Sequence, residues 1–189
     1  MFKNNKIIDP NPYGETSLDA LEAFEKEVGA KLPDEYREYL LLYNGARFEH
    51  KTFDIKGDAE NITDVQVMYG IANEPEWFSI QDSNSYLYDI DVIKKGYLSI
   101  GSDAFGNQIL IKLKWPNRGA IYFWDHEKPF WRFKSVLLKQ ADNFVEFVDN
   151  LYTHPYDKET SLETLERYKK EDPDTYKLLY AAMKERGEI

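Results

Sequence analysis

The sequence predicts an α+β domain, with an N-terminal helical pair and C-terminal helices packed on a mostly antiparallel sheet. Three observations carry this. Apolar residues recur at helical spacing over residues 18–43 and again over 141–152. Residues 97–124 alternate with a period of two around turn-forming residues. The order is helices, then strands, then helices, which is not the interleaving of βαβ units.

Each element follows from local chemistry. In the first helix Leu18, Leu21, Phe24 and Val28 share a face, Thr16 and Asp19 form a capping-box pattern, and Gly29 suits a left-handed stop. In the second, Tyr36, Tyr39, Leu40 and Tyr43 fall at i, i+3, i+4 and i+7, Pro33 suits a first turn, and Asn44-Gly45 ends the helix. Ile62, Val65, Val67 and Tyr69 suggest a strand over 62–69. Asn73-Glu74-Pro75-Glu76 breaks the chain, and 77–93 reads as a short helix with loops. Tyr97–Ile100 is a strand. Over 108–115, Ile109, Ile111, Leu113 and Trp115 take one face; Gln108, Leu110, Lys112 and Lys114 take the other. Pro116-Asn117-Arg118-Gly119 turns the chain into a partner strand, Ala120–Trp124. Trp131, Phe133 and Val136–Leu138 add edge structure, and Phe144, Phe147, Val148 and Leu151 form the buried face of a closing helix. In the tail, Thr160 and Glu163 cap a helix carrying Leu162, Leu165 and Tyr168. Asp172-Pro173 starts another with Tyr176, Leu179, Tyr180 and Met183, which Gly187 can end. The expected organisation is one domain over residues 1–152 and a helical extension over 153–189 packed on it.

Composition narrows the function. Fifteen per cent of the 189 residues are aromatic, so the chain has the means to build a core. It has no cysteine, which removes disulfides and thiolate chemistry. No run of 18 apolar residues and no signal-like N-terminal stretch occurs, so the expected location is the cytoplasm. The net charge of −10 is uneven, with 19 acidic against 6 basic residues between Asp9 and Asp91. Within it, residues 57–93 carry Asp58, Glu60, Asp64, Glu74, Glu76, Asp82, Asp89 and Asp91 and neither Lys nor Arg. Such a field repels nucleic acid and acidic membranes and attracts basic surfaces.

Several fragments imitate active sites without completing one. Gly101-x4-Gly106-Asn107 has phosphate-loop spacing, but Asn107 replaces the lysine and a strand pattern replaces the helix, so a turn is expected. In Asp125-His126-Glu127 consecutive side chains on an extended strand cannot converge on one metal, and His126 is expected to hydrogen-bond at a strand end. Asp82-Ser83-Asn84-Ser85-Tyr86 lacks the glycine of a calcium loop, and Asp89-Ile90-Asp91 is a bare carboxylate pair. No G-x-S-x-G, H-E-x-x-H or G-x-G-x-x-G motif is present. The sequence therefore predicts no catalytic residue, no metal site and no cofactor.

Three blocks in order carry a family resemblance. Glu27-Val28-Gly29-Ala30-Lys31-Leu32-Pro33-Asp34-Glu35-Tyr36, with Tyr39-Leu40 and Asn44-Gly45, resembles the N-terminal signature of the SMI1/KNR4 family of the SUKH superfamily. Residues 97–107 followed by 119–127 resemble the family's strand, Gly-Asn turn, strand, and apolar strand ending in Asp-His-Glu. Residues 143–151 are similar to its closing helix. The resemblance spans about residues 16–152 and implies the same α+β fold. It also implies a non-enzymatic binding module, since bacterial members are frequently immunity proteins that neutralise a secreted or contact-delivered toxin, often a nuclease. The alternative it implies is a regulatory or scaffold module, like the fungal members linked to cell-wall control. The partner the resemblance implies is a cognate protein toxin; from charge rather than from the family, its contact surface is expected to be basic, with no nucleic acid and no membrane as partner. The expected contact residues are Asp58, Glu60, Asp64, Glu74, Glu76, Asp82, Asp89 and Asp91, with Trp77, Tyr86 and Tyr88 as apolar anchors.

Overall fold

A computed structural model of the chain describes residues 1–12, 14–58, 61–71, 79–85, 87, 92–129, 136–154 and 161–185. The chain divides into two compact units, Met1–Tyr152 and Thr153–Ile189.

The first unit begins with the two helices that the apolar spacing requires. Helix α1 spans Leu18–Val28 and ends at Gly29 in the left-handed region, φ 71°. Its N-cap is Ser17 and not Thr16: Ser17 is extended, and its Oγ accepts a hydrogen bond from Ala20 N at 3.1 Å. Leu18, the first helical residue, is half exposed, while Leu21 and Phe24 are buried. Helix α2 spans Asp34–Tyr43, with Pro33 just outside it, extended at ψ 140°, and Asn44 ending it at φ 34°. Tyr36, Tyr39 and Leu40 are fully buried, as the stripe demands. Glu25 braces the connection. Its Oε1 accepts from Leu32 N at 2.7 Å, and its other oxygen pairs with Arg37.

Two small antiparallel ribbons precede the main sheet. Strand β1 (Ile7–Asp9) pairs with β2 (Arg47–Phe48), and β3 (Thr52–Asp54) pairs with β4 (Ile62–Asp64). The main sheet is antiparallel in the order β5 (Val67–Met68), β6 (Tyr97–Ser102), β7 (Gln108–Lys112), β8 (Ile121–Trp124), β9 (Leu137–Ala141). The single strand expected over 62–69 is therefore two strands in different sheets. Val65 N donates to Lys51 O and Gln66 N to Ser102 O, handing the chain from one sheet to the next. The cause is a phase break: Ile62 and Val65 are three apart, so they cannot share a face of one strand.

Both faces of the five-stranded sheet are covered. Ile109, Ile111 and Leu113 enter the main core with Leu21, Tyr36 and Phe144. Leu110, expected on a polar face, lies in a second cluster with Tyr97, Trp124 and Val136. Trp115 departs from its expected face because β7 ends at Lys112, which leaves it on the following loop. Helix α3 (Ile80–Ser85) is fastened to β6 by Asn84, whose Nδ2 donates to Ser99 O and whose Oδ1 accepts from Ser99 N. Helix α4 (Phe144–Asp149) is capped by Asn143 and sets Phe144 against Tyr39, with ring centroids 4.6 Å apart. Trp131 and Phe133 lie outside the described residues.

In the second unit, α5 (Ser161–Glu171) and α6 (Pro173–Glu185) pack on one another, and Leu165 and Met183 are buried. Asp172 caps α6 as expected: Oδ1 accepts from Thr175 N at 3.2 Å and Oδ2 from Thr175 Oγ1 at 2.6 Å. Thr160 and Gly187 lie outside the described residues. Among those described, no helix is long and apolar enough to cross a membrane.

Candidate functional site

The turn between β6 and β7 is built around one buried carboxylate. Asp103 Oδ1 accepts from Phe105 N (2.9 Å) and Asn107 N (2.8 Å), and Oδ2 from Asn107 Nδ2 (2.8 Å) and Thr63 Oγ1 (3.0 Å). This arrangement closes the turn over residues 103–107, with Gly106 at φ 87°. Gly101 instead belongs to β6 and pairs with Met68 on β5. A Cβ there would meet Val67 O at 2.5 Å, so the glycine permits close strand approach rather than phosphate binding.

The turn after β8 is tied to the first. Asn107 Oδ1 accepts from His126 N at 3.3 Å and lies 3.1 Å from His126 Nδ1. Asp125 Oδ1 accepts from Glu127 N at 3.1 Å, and Oδ2 pairs with Lys128 Nζ at 3.2 Å. His126 thus makes the strand-end hydrogen bonds expected of it. The stretch Asp82-Ser83-Asn84-Ser85 lies within α3 rather than in a cation loop. Among the described residues, no group of three or more His, Cys, Asp or Glu is placed to hold a metal ion.

These turns and the β3–β4 loop enclose a groove of about 300 Å³. Its floor is apolar, with Ile55, Phe123, Val136 and Leu138, and its rim carries Asp58 and the Asp125–Lys128 ion pair. Phe105 stands beside it, 78 % exposed at the tip of the turn, with Ile62 half exposed across the opening. An aromatic projecting next to an apolar-floored hollow with a charged rim has the composition of a protein-binding hot spot.

Three of the eleven residues singled out by charge and aromaticity are described. Asp58 reaches the groove rim. Asp64 accepts from Thr52 Oγ1 at 2.7 Å and pairs with Lys51 at 2.9 Å. Asp82 is exposed on α3 and does not line the groove. Glu60, Glu74, Glu76, Trp77, Tyr86, Tyr88, Asp89 and Asp91 lie outside the described residues. The sequence reading missed Phe105 and Asp125 as surface candidates. The available signal was Ala104-Phe105-Gly106, since an aromatic at the tip of a tight turn has no core to enter.

A second function for the N-terminal signature is also visible. Buried Asn44 donates from Nδ2 to Gly14 O (2.9 Å) and Ile71 O (3.2 Å) and accepts from Ile71 N (2.7 Å). Within the signature, Asn44 thereby acts as a clamp on the fold, and Glu25 just upstream braces the connection between the two helices. The profile of the SMI1 / KNR4 family (SUKH-1) matches residues 15–150. The chain belongs to this family. It is also similar to the SPbeta prophage-derived uncharacterized protein YokK of Bacillus subtilis (strain 168), at 28 % identity over 159 residues, 72 % of this chain and 75 % of that protein. The SUKH-1 match includes the signature clamp and the two tied turns beside the groove.

Proposed function

We propose that this SUKH-1 chain is a non-enzymatic immunity protein that binds and neutralises a cognate toxin, and that the toxin presents a basic surface of the kind a nuclease uses to grip phosphate. The observation that carries the reading is the groove: Asp58 and the Asp125–Lys128 pair on its rim, an apolar floor, and Phe105 exposed beside it. Asp58 and the acidic field of the first half of the chain steer a basic partner into encounter, and an apolar anchor then holds it. The unevenly acidic first half of the chain extends the same field, with residues 57–93 as the proposed wider contact region. Prophage derivation of the similar protein fits a gene carried for conflict between cells or genomes.

The test is co-expression with the toxin domain encoded beside the gene. Wild-type chain is expected to restore growth, and Phe105→Ala combined with Asp58→Lys is expected to lose that protection while remaining folded. Full protection by the double variant would remove the groove from the reading. Failure of wild-type to protect would remove the immunity function.

A further inference from the structure

Two exposed apolar side chains flank the groove, Phe105 on the β6–β7 turn and Ile62 at the start of β4. They belong to segments far apart in the chain, and a buried hydrogen bond joins those segments. Thr63, next to Ile62, donates from Oγ1 to Asp103 Oδ2 at 3.0 Å. The other oxygen of Asp103 accepts from the Phe105 amide at 2.9 Å. Ile62 and Phe105 are thus linked through Thr63 and one carboxylate, and both linking residues are buried.

Each side of the link is already complete without it. Strand β4 is held by its ladder to β3, with Thr63 opposite Phe53. The turn is closed by Asn107 N and Nδ2 on Asp103 and by Asp103 N on Asn107 O. What the Thr63–Asp103 bond adds is a fixed relation between the two at the groove. A hydrogen bond to a carboxylate is stronger than one between neutral groups, so it suits this task. Asn107 carries the brace on to the third turn, since its Oδ1 accepts from His126 N. We infer that Thr63 and Asp103 are positioning residues, whose hydrogen bond sets Phe105 and Ile62 as a preformed apolar pair beside the groove. The inference rests on the groove being the toxin-binding face proposed above. A partner then meets the pair already ordered, and binding is spared the cost of ordering it.

Thr63→Val keeps the side-chain shape and removes the hydroxyl, whereas Thr63→Ser keeps the hydroxyl. Amide hydrogen exchange of the full chain, with no partner present, is the first readout. In Thr63→Val the Phe105 and Asn107 amides are expected to exchange about tenfold faster than in wild type, with the amides of β7 and β8 unchanged. Thr63→Ser is expected to restore wild-type exchange. Asp103→Asn removes the charge and is expected to loosen the same two amides, so the outcome does not depend on one variant folding. Affinity for the toxin domain encoded beside the gene is the second readout. Thr63→Val is expected to weaken it roughly threefold to tenfold, and Thr63→Ser to recover it. In a Phe105→Ala, Ile62→Ala background, Thr63→Val is expected to cost nothing further, because the pair it positions is gone. Unchanged exchange in Thr63→Val, loosened amides with wild-type affinity, or a loss that persists in full in that background would overturn the inference. A wild-type chain that does not bind the toxin domain removes the immunity reading instead, and the exchange result alone then decides whether Thr63 and Asp103 hold the turn.

Discussion

Asn44 shows how much one side chain can carry. In the sequence it reads as a helix stop, and it does end α2 at φ 34°. It also joins α2 to the chain at Gly14 and Ile71 through three hydrogen bonds, which periodicity alone could not reveal. Asn44→Gly keeps the backbone conformation and removes those bonds. It is expected to cost on the order of 2–4 kcal/mol in denaturant unfolding, because buried carbonyl and amide groups are left unpaired. Tyr36 behaves oppositely. Its hydroxyl is buried with no hydrogen-bond partner among the described residues, and burial, with Tyr39 beside it, holds the phenol well above its ordinary pKa. Tyr36→Phe keeps the ring against Phe144 and is expected to leave stability within about 1 kcal/mol of wild type, on the stabilising side. A larger loss in the same measurement would show that the hydroxyl has a partner.

At the scale of elements, strand approach and helix capping give separate expectations. Gly101→Ala adds a methyl group against the backbone of β5, so it is expected to destabilise by about 1–3 kcal/mol, with hydrogen exchange rising first at Gln66 and Tyr69. In α6, hydrogen bonds from Thr175 and Asp174 hold the Asp172 carboxyl below its usual range. A lowered folded-state pKa means the cap's contribution is present above the unfolded value, about 4, and is lost as pH falls through the folded value. An NMR titration of the Thr175 amide is expected to report that loss at acid pH, and Asp172→Asn to abolish the response. The helices were legible because their stripes and caps are local. The split of 62–69 was not, because short strands in different sheets are fixed by tertiary partners, although the three-residue step from Ile62 to Val65 was a usable warning. The position of Trp115 was missed for a related reason: alternation continues on paper past the last ladder bond.

For the whole molecule, the family fold was readable from three ordered blocks, and the profile match over residues 15–150 agrees with them. The groove was not readable, because Asp58, Phe105 and Asp125 are brought together by three separate turns. Charge counting identified an acidic half of the chain but could not distinguish Asp58 at a groove rim from Asp64 paired with Lys51. Net charge of −10 supports fast, salt-sensitive encounter with a basic partner, whereas the apolar floor and Phe105 would set how long the partner stays. The proposed groove interaction therefore separates into two kinetic effects. Asp58→Lys is expected to slow association and flatten its salt dependence, and Phe105→Ala to speed dissociation.

The most direct test is the binding kinetics of the neighbouring gene's toxin domain with wild-type chain, Asp58→Lys and Phe105→Ala at two salt concentrations. The account expects affinity to fall at least about tenfold in each variant, through association for the first and dissociation for the second. Wild-type affinity and unchanged salt dependence in both variants would contradict it.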